Sequence, residues 1–317
     1  MSCVYKGKVV DTDLSRNALG GTEMMRNRLI ENLDSELLQD FAIHFSRPRK
    51  MYDDVKNIFY CHDLAMDPEN KVLKDDGWKE FDHFVFVSYW QRDQYIMVYG
   101  IPYSKCVVIP NAIELEYHPE PKNNDEIRFI YHTTPHRGLE LLYPIFDSLS
   151  KEYENIHLDV YSSFKIYGWE SRDKQYEKLF QKLNDHPKIT YHGSKSNKEV
   201  IQALKKSHVF LFPSIWAETS CIAMIEAIRS GVLVIHPSYA ALPETASGAT
   251  IMYDYTEVVQ DHANLAYAVT KNLLDAHKLQ PDIFEQLTTS DRCVLPRNSI
   301  NSYTNAWHNL LRRLRNG

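Results

Sequence analysis

Two glutamates, Glu218 and Glu226, stand with seven residues between them in the run Phe212-Pro213-Ser214-Ile215-Trp216-Ala217-Glu218-Thr219-Ser220-Cys221-Ile222-Ala223-Met224-Ile225-Glu226-Ala227. Thr219 and Ser220 are residue types that cap helices, so the pattern predicts a helix over Cys221 to Arg229. Glu218 then lies in the loop before that helix and Glu226 about two turns inside it. The free N–H groups and partial positive charge of such a helix end attract phosphate. An ionised carboxylate on either side accepts hydrogen bonds from sugar hydroxyls. Phosphates at the helix end with a sugar beyond each side is the layout of a nucleotide sugar. Two glutamates at one spacing are by themselves commonplace, one a cap and one a surface residue. The setting makes the difference: a strand, Pro-Ser, Trp-Ala-Glu, a helix closed by Gly231, and another strand.

Smaller signals lie elsewhere. Gly20-Gly21 opens a helical pattern carried by Met24, Met25, Leu29, Ile30 and Leu33, and glycine there lets a ligand approach the backbone. His62 follows the strand-like run Ile58 to Cys61, where a ligand-facing loop belongs, and a structural histidine is the competing reading. His44 is a weaker case of the same kind. Ser88 and Asn111 read as residues that hold loop backbones. Asp11-Thr12-Asp13 has the Asp-x-Asp pattern of a metal-bound diphosphate site but precedes the glycine loop and reads as a solvated turn.

These residues need elements to hold them. Strand-like runs at Phe41–Phe45, Ile58–Cys61, Phe84–Ser88 and Cys106–Ile109 alternate with a helix over Gln91–Tyr99 that Gly100-Ile101-Pro102 stops. A polar stretch from Glu114 to Asp125, with Pro119, Pro121 and Asn123-Asn124, reads as a linker. A second series follows: strands at Ile127–Tyr131, His157–Tyr161, Ile189–His192, Val209–Phe212 and Val232–Ile235, and helices at Gly138–Leu149, Tyr176–Leu183, Val200–Lys205 and Cys221–Arg229. Ser302–Leu314 is an amphipathic helix. The alternation predicts two α/β domains with parallel sheets, each binding ligand at the carboxyl ends of its strands.

Composition agrees. The 317 residues are 44% hydrophobic and 25% charged, enough for two ordinary cores and against global disorder. A net charge of −6 weighs against a nucleic-acid-gripping surface. The basic clusters Arg47-Pro48-Arg49-Lys50 and Arg312, Arg313, Arg315 read as solvated surface, a phosphate or acidic-membrane contact being the minority reading. Five widely spaced cysteines without a CxxC argue against a disulfide framework or a structural zinc site, and for a reducing cytoplasm. No signal-peptide pattern opens the chain, and the apolar runs Val209–Trp216 and Gly231–Ile235 are too short to cross a bilayer.

The Glu218–Glu226 segment resembles the donor-binding motif of the retaining GT-B glycosyltransferases, family four. Phe86-Val87-Ser88, Tyr99-Gly100-Ile101-Pro102 and Val108-Ile109-Pro110-Asn111-Ala112 resemble its interdomain stretch, in order. Ile130-Tyr131-His132-Thr133-Thr134-Pro135-His136-Arg137-Gly138-Leu139 resembles the first strand and basic loop of its C-terminal domain, and Gly20-Gly21-Thr22-Glu23 its N-terminal glycine loop. The likeness runs from about Gly20 to Thr245 and is stronger in the second half. It implies a GT-B fold, two Rossmann-like domains facing across a cleft, bounded at 1–118 for a short acceptor-side domain and 119–296 for the nucleotide-sugar domain, with 297–317 a helix returning toward the first.

Carried over by residue, the resemblance implies that Glu218 touches the transferred sugar near the reaction centre and Glu226 binds the ribose. Arg137 sits on the diphosphate as leaving-group stabiliser, a role a permanently charged, forked guanidinium suits. Gly20, Gly21, His62, Thr219 and Ser220 complete the donor site. Arg137 alone would read as a surface arginine before a helix. The sequence departs from the family at His132, where an arginine is frequent, so the diphosphate has one fixed cation fewer unless His132 or Lys205 supplies it.

The implied reaction is transfer of a hexose-type sugar, with a UDP-sugar the favoured donor, by front-side attack with retention of configuration. Arg137 and a helix N-terminus carry the diphosphate charge, so no cofactor is required and a divalent metal is not essential. The competing readings are a nucleotide-sugar epimerase of the same fold and a nucleotide-binding module without turnover. A dinucleotide-binding dehydrogenase lacks its GxGxxG after a strand. The acceptor stays open among a glycan, a lipid-linked sugar, a protein, a small molecule and a hydroxymethylated DNA base, the acidic balance disfavouring the last. The oligomeric state does not follow from the sequence.

Overall fold

Short runs of large apolar residues bounded by turn residues cannot leave either face in water, so they form strands covered on both sides. The computed structural model describes residues 2–11, 20–114, 121–289, 293 and 295–317. The chain divides into two units: Met1–Glu114 with Glu218–Ile222 and Pro296–Gly317, and Leu115–Ala217 with Ala223–Leu295. The Glu114–Asp125 linker reading falls partly on 115–120 and the Asp11-Thr12-Asp13 reading on 12–13, both outside the described residues.

The first unit begins with strands β1 (Ser2–Tyr5) and β2 (Lys8–Asp11), an antiparallel hairpin that the sequence reading did not anticipate. Helix α1 (Gly21–Asn32) and strands β3 (Phe41–Phe45), β4 (Lys56–Cys61) and β5 (His83–Phe86) follow, then α2 (Tyr89–Tyr99) and β6 (Cys106–Val108). The sheet order is β2-β1-β3-β4-β5-β6, parallel from β3 to β6. Alternate side chains feed two cores, as a pleated strand requires. Ile58, Tyr60 and Val85 point into one with Met25 and Leu29 of α1, and Phe59, Cys61, Phe84 and Phe86 into the other.

The second unit holds β7 (Ile127–Tyr131), α3 (Leu139–Glu152), β8 (Ile156–Val160), α4 (Glu177–Asp185), β9 (Ile189–Tyr191), α5 (Asn197–Leu204), β10 (Val209–Leu211), α6 (Ile222–Arg229, whose first residue belongs to the first unit), β11 (Leu233–Pro237), α7 (Leu242–Ala246), β12 (Ile251–Tyr253), α8 (Val259–Leu279) and α9 (Ile283–Leu287). Its sheet order β12-β11-β10-β7-β8-β9 is parallel throughout. From the β9 edge this is the doubly wound order, third, second, first, then fourth to sixth. The chain reverses direction across the sheet between β7 and β10, where Val209 pairs with Phe129 and Phe210 with Ile130. A crevice at such a switch point is where doubly wound sheets bind ligands.

The last helix, α10 (Ile300–Asn316), packs in the first unit, with Tyr303, Trp307, Leu310 and Leu311 buried beside Met25 and Leu29. Asn298 Nδ2 donates to the Asn111 carbonyl at 2.7 Å, and Ile113 N to the Asn298 carbonyl at 3.0 Å, fixing the segment that leads into it. The five cysteines are free thiols. Among the described residues no helix is long and apolar enough to cross a membrane.

Candidate functional site

The switch point brings two loops together in the second unit. The loop after β7 closes into a short turn, Pro135–Arg137, with the Arg137 amide donating to the Thr134 carbonyl at 3.2 Å and Tyr131 Oη to the same carbonyl at 3.1 Å. Gly138 ends the turn at φ 116°, a left-handed conformation that side chains resist. A Cβ there would lie 2.2 Å from the Pro213 carbonyl oxygen, so this loop and the one after β10 touch backbone to backbone. Ser214 locks the second loop, its Oγ accepting from the Trp216 amide at 3.2 Å and donating to the Trp216 carbonyl at 3.1 Å. Gly138 is also the residue before α3, and no side chain caps that helix, so its first amides carry the partial positive charge of a helix end. Arg137 stands half-buried beside them.

The histidines of this region are neutral. Burial pushes His132 down to about 3, with its ring 4.6 Å from Phe210. It is therefore not the fixed cation that would replace the missing arginine. Burial, with the Arg137 and Arg172 guanidiniums adding to it, pushes His136 down to about 4. Its ring stacks on Phe164 at 5.2 Å and meets the edge of Trp216 at 4.7 Å, bracing the Arg137 loop from both sides. Lys205 ends α5 and is half-buried.

Glu226 lies in α6 and is 5% exposed. Asn197, the first residue of α5, donates from Nδ2 to Glu226 Oε1 at 2.9 Å. The sequence reading missed Asn197. It stands 29 residues upstream, and only the pairing of the two helices reveals it.

The remaining expected residues belong to the first unit. Gly20 precedes α1 in extended backbone and no side chain caps that helix. A Cβ on Gly21 would stand 3.1 Å from Ile222 Cδ1. Thr219 and Ser220 do not occupy the capping position: α6 starts at Ile222, and the Thr219 hydroxyl instead donates to the His62 carbonyl at 2.9 Å. The expected cap is displaced because the helix begins at Ile222, which leaves Thr219 and Ser220 in the turn ahead of the residue that adjoins it. The turn Glu218–Ile222 is thereby fastened to the loop after β4, with Ile222 packed on the core beneath α1. Glu218 itself is 3% exposed.

His62 is held from two directions. Its amide donates to Ser46 Oγ at 2.9 Å, and its ring lies 4.3 Å from Tyr60 and stacks on Phe45 at 6.1 Å. Burial pushes the imidazole down to about 3, and its Nε2 is buried with no hydrogen-bond partner among the described residues. A buried polar atom without a protein partner can be satisfied by a water, an ion or a ligand. His44, by contrast, is a satisfied core histidine, Nε2 lying 2.9 Å from Asn57 Oδ1. Ser88 holds backbone, as the cap of α2, accepting from the Gln91 amide at 3.0 Å. Both arginines of the Arg47–Lys50 cluster are paired with carboxylates: Arg47 with Asp63 at 3.0 Å and Asp67 at 3.5 Å, and Arg49 with Glu69 at 3.0 Å. Among the described residues no group of three or more His, Cys, Asp or Glu side chains could hold a metal ion.

Residues 112–279, more than half of the chain, match the family described as glycosyl transferases group 1. A curated relative, the A subunit of human phosphatidylinositol N-acetylglucosaminyltransferase, is 25% identical over 196 residues, 59% of this chain and 38% of the relative. The Arabidopsis thaliana protein of the same name is 23% identical over 184 residues, 55% of this chain and again 38% of the relative. The matched stretch thus spans well under half of either relative. Among solved structures, a glycosyltransferase from Rickettsia africae superposes with a TM-score of 0.66 at 16% identity, covering 97% of this chain and 85% of that one. Anabaena Alr3699/HepE in complex with UDP-glucose superposes with a TM-score of 0.60 at 13% identity, covering 82% and 72%. At such identities these two likenesses establish the GT-B fold.

Proposed function

The chain belongs to the glycosyl transferases group 1 family, and on that premise we propose that this glycosyltransferase moves a hexose-type sugar from a UDP-sugar to an acceptor hydroxyl with retention of anomeric configuration. The observation that carries the reading is the backbone contact of Gly138 with Pro213 at the switch point, which sets Arg137 and the uncapped end of α3 in one rigid loop pair. The uridine assignment draws support from the UDP-glucose in the Anabaena structure.

In this reading the donor diphosphate takes its neutralising charge from Arg137 and from the α3 amides, with the Thr219-Ser220 turn before α6 as a further donor of N–H groups. These charges are fixed before reaction begins, the arrangement that stabilises a leaving diphosphate most effectively. Glu226 accepts from the ribose, and Glu218 with His62 and the Gly20-Gly21 backbone attends the transferred sugar. As the diphosphate leaves, the sugar becomes oxocarbenium-like. The acceptor hydroxyl then enters on the face just vacated, passing its proton to the departing phosphate oxygen. His62, a neutral imidazole, would hydrogen-bond a hydroxyl without adding charge. With Arg137 carrying the phosphate charge, a divalent metal is dispensable, and EDTA should leave the rate unchanged.

The test is turnover of UDP-glucose and UDP-N-acetylglucosamine followed by proton NMR. An α-configured sugar as first product from the α-linked donor supports the proposal. A β-configured first product would overturn retention, and no turnover of any nucleotide sugar would overturn the transferase reading of the site.

A further inference from the structure

Asn197 is joined to Glu226 by a direct hydrogen bond between side chains, Nδ2 to Oε1 at 2.9 Å. The Asn197 backbone is already fixed by other means. Ser196 caps α5, its Oγ accepting from the Glu199 amide at 3.3 Å, while Glu199 Oε2 accepts from the Ser196 amide at 3.0 Å, a complete capping box. The Asn197 side-chain amide is therefore not needed to start its helix and serves a carboxylate carried by another helix. That carboxylate is 5% exposed, and a buried carboxylate turned away from its ligand by one rotamer would lose the contact.

We propose that Asn197 is a positioning residue that fixes the Glu226 carboxylate for the ribose diol of the donor and so sets the preference for a ribonucleotide. The proposal rests on the reading of Glu226 as the ribose acceptor. A bond to an ionised partner is among the stronger hydrogen bonds, so its removal should be measurable in affinity.

A bond that merely ties α5 to α6 behaves differently. Aspartate at position 197 has nearly the same shape, and its charge in the first turn of a helix is favourable. For a packing role Asn197→Asp costs stability, since it breaks the tie and sets two carboxylates against each other, but it leaves the ribose preference as it was. For a positioning role it also removes the ribose preference, because the donor that holds the Glu226 carboxylate is replaced by an acceptor.

Calorimetry on the full chain with UDP and with 2′,3′-dideoxy-UDP separates the two, applied to wild type, Asn197→Ala and Asn197→Asp. Wild type should bind UDP about tenfold tighter than the dideoxy form, a difference of about 1.4 kcal/mol. Both variants should lose most of that preference while binding the dideoxy form as wild type does. Retention of the full ribose preference in both variants would overturn the role of Asn197 and leave the donor site standing. Equal binding of the two ligands by wild type would overturn the ribose reading of Glu226, and this inference with it.

Discussion

Gly138 and Pro213 meet backbone to backbone, so close that a single added carbon on Gly138 would stand 2.2 Å from the Pro213 carbonyl oxygen. No side chain can occupy that space, and the φ of 116° resists one as well. Gly138→Ala must therefore force the Arg137 loop away from the loop after β10. The expected result is a loss of stability on the order of 1–3 kcal/mol and a larger loss of nucleotide affinity than any surface substitution gives. Thermal unfolding and nucleotide titration of the variant check both.

Arg137 follows from the same loop. Arg137→Ala should lower the rate of donor cleavage on the order of a hundredfold, because a fixed charge on the leaving group is lost where it matters most. Arg137→Lys should recover only part of this, since an ammonium cannot fork onto two phosphate oxygens. Single-turnover donor hydrolysis is the measurement, and wild-type rates in Arg137→Ala would remove the residue from the site.

The buried histidines set a pH dependence of stability. His62, His132 and His208 are pushed down to about 3, and His136 and His236 to about 4, in each case chiefly by burial. Unfolding returns each ring to its ordinary value near 6.5. Above that value neither state takes the proton. Below it the unfolded chain takes protons the folded chain refuses, so stability falls steadily from about pH 6.5 toward 3. Melting temperatures should be level between about pH 7 and 8 and decline from about pH 6 downward. A level profile through pH 5 would mean these rings are solvated.

Local pattern carried much of this into the sequence. Five of the six parallel strands of the second unit announce themselves as apolar runs between turn residues, the three-residue β12 being the exception, and the Glu218–Glu226 segment stands out because its strand, loop and helix are consecutive. The hairpin of β1 and β2 does not, since Lys6, Lys8 and Asp11 break up its few apolar residues. Helix α8 is equally hard to see in the sequence. Its buried face is built from His262, Ala266, Thr270, Leu273 and Leu274, which dilutes the apolar period. The contacts that build the site were the least legible. Thr219 to His62, Gly138 to Pro213 and Asn197 to Glu226 each join residues far apart in the chain, and no window of sequence contains both partners.

The most direct test of the donor site is calorimetry of UDP, GDP and ADP binding to wild type, Glu226→Ala and Glu218→Ala. The proposed donor site predicts that wild type binds UDP best and that Glu226→Ala weakens it at least tenfold, about 1.4 kcal/mol or more. Glu218→Ala should bind UDP almost as wild type does while losing transfer, because its carboxylate is assigned to the sugar that UDP lacks. Binding of UDP unchanged in Glu226→Ala, or no binding of any of the three nucleotides to wild type, would contradict it.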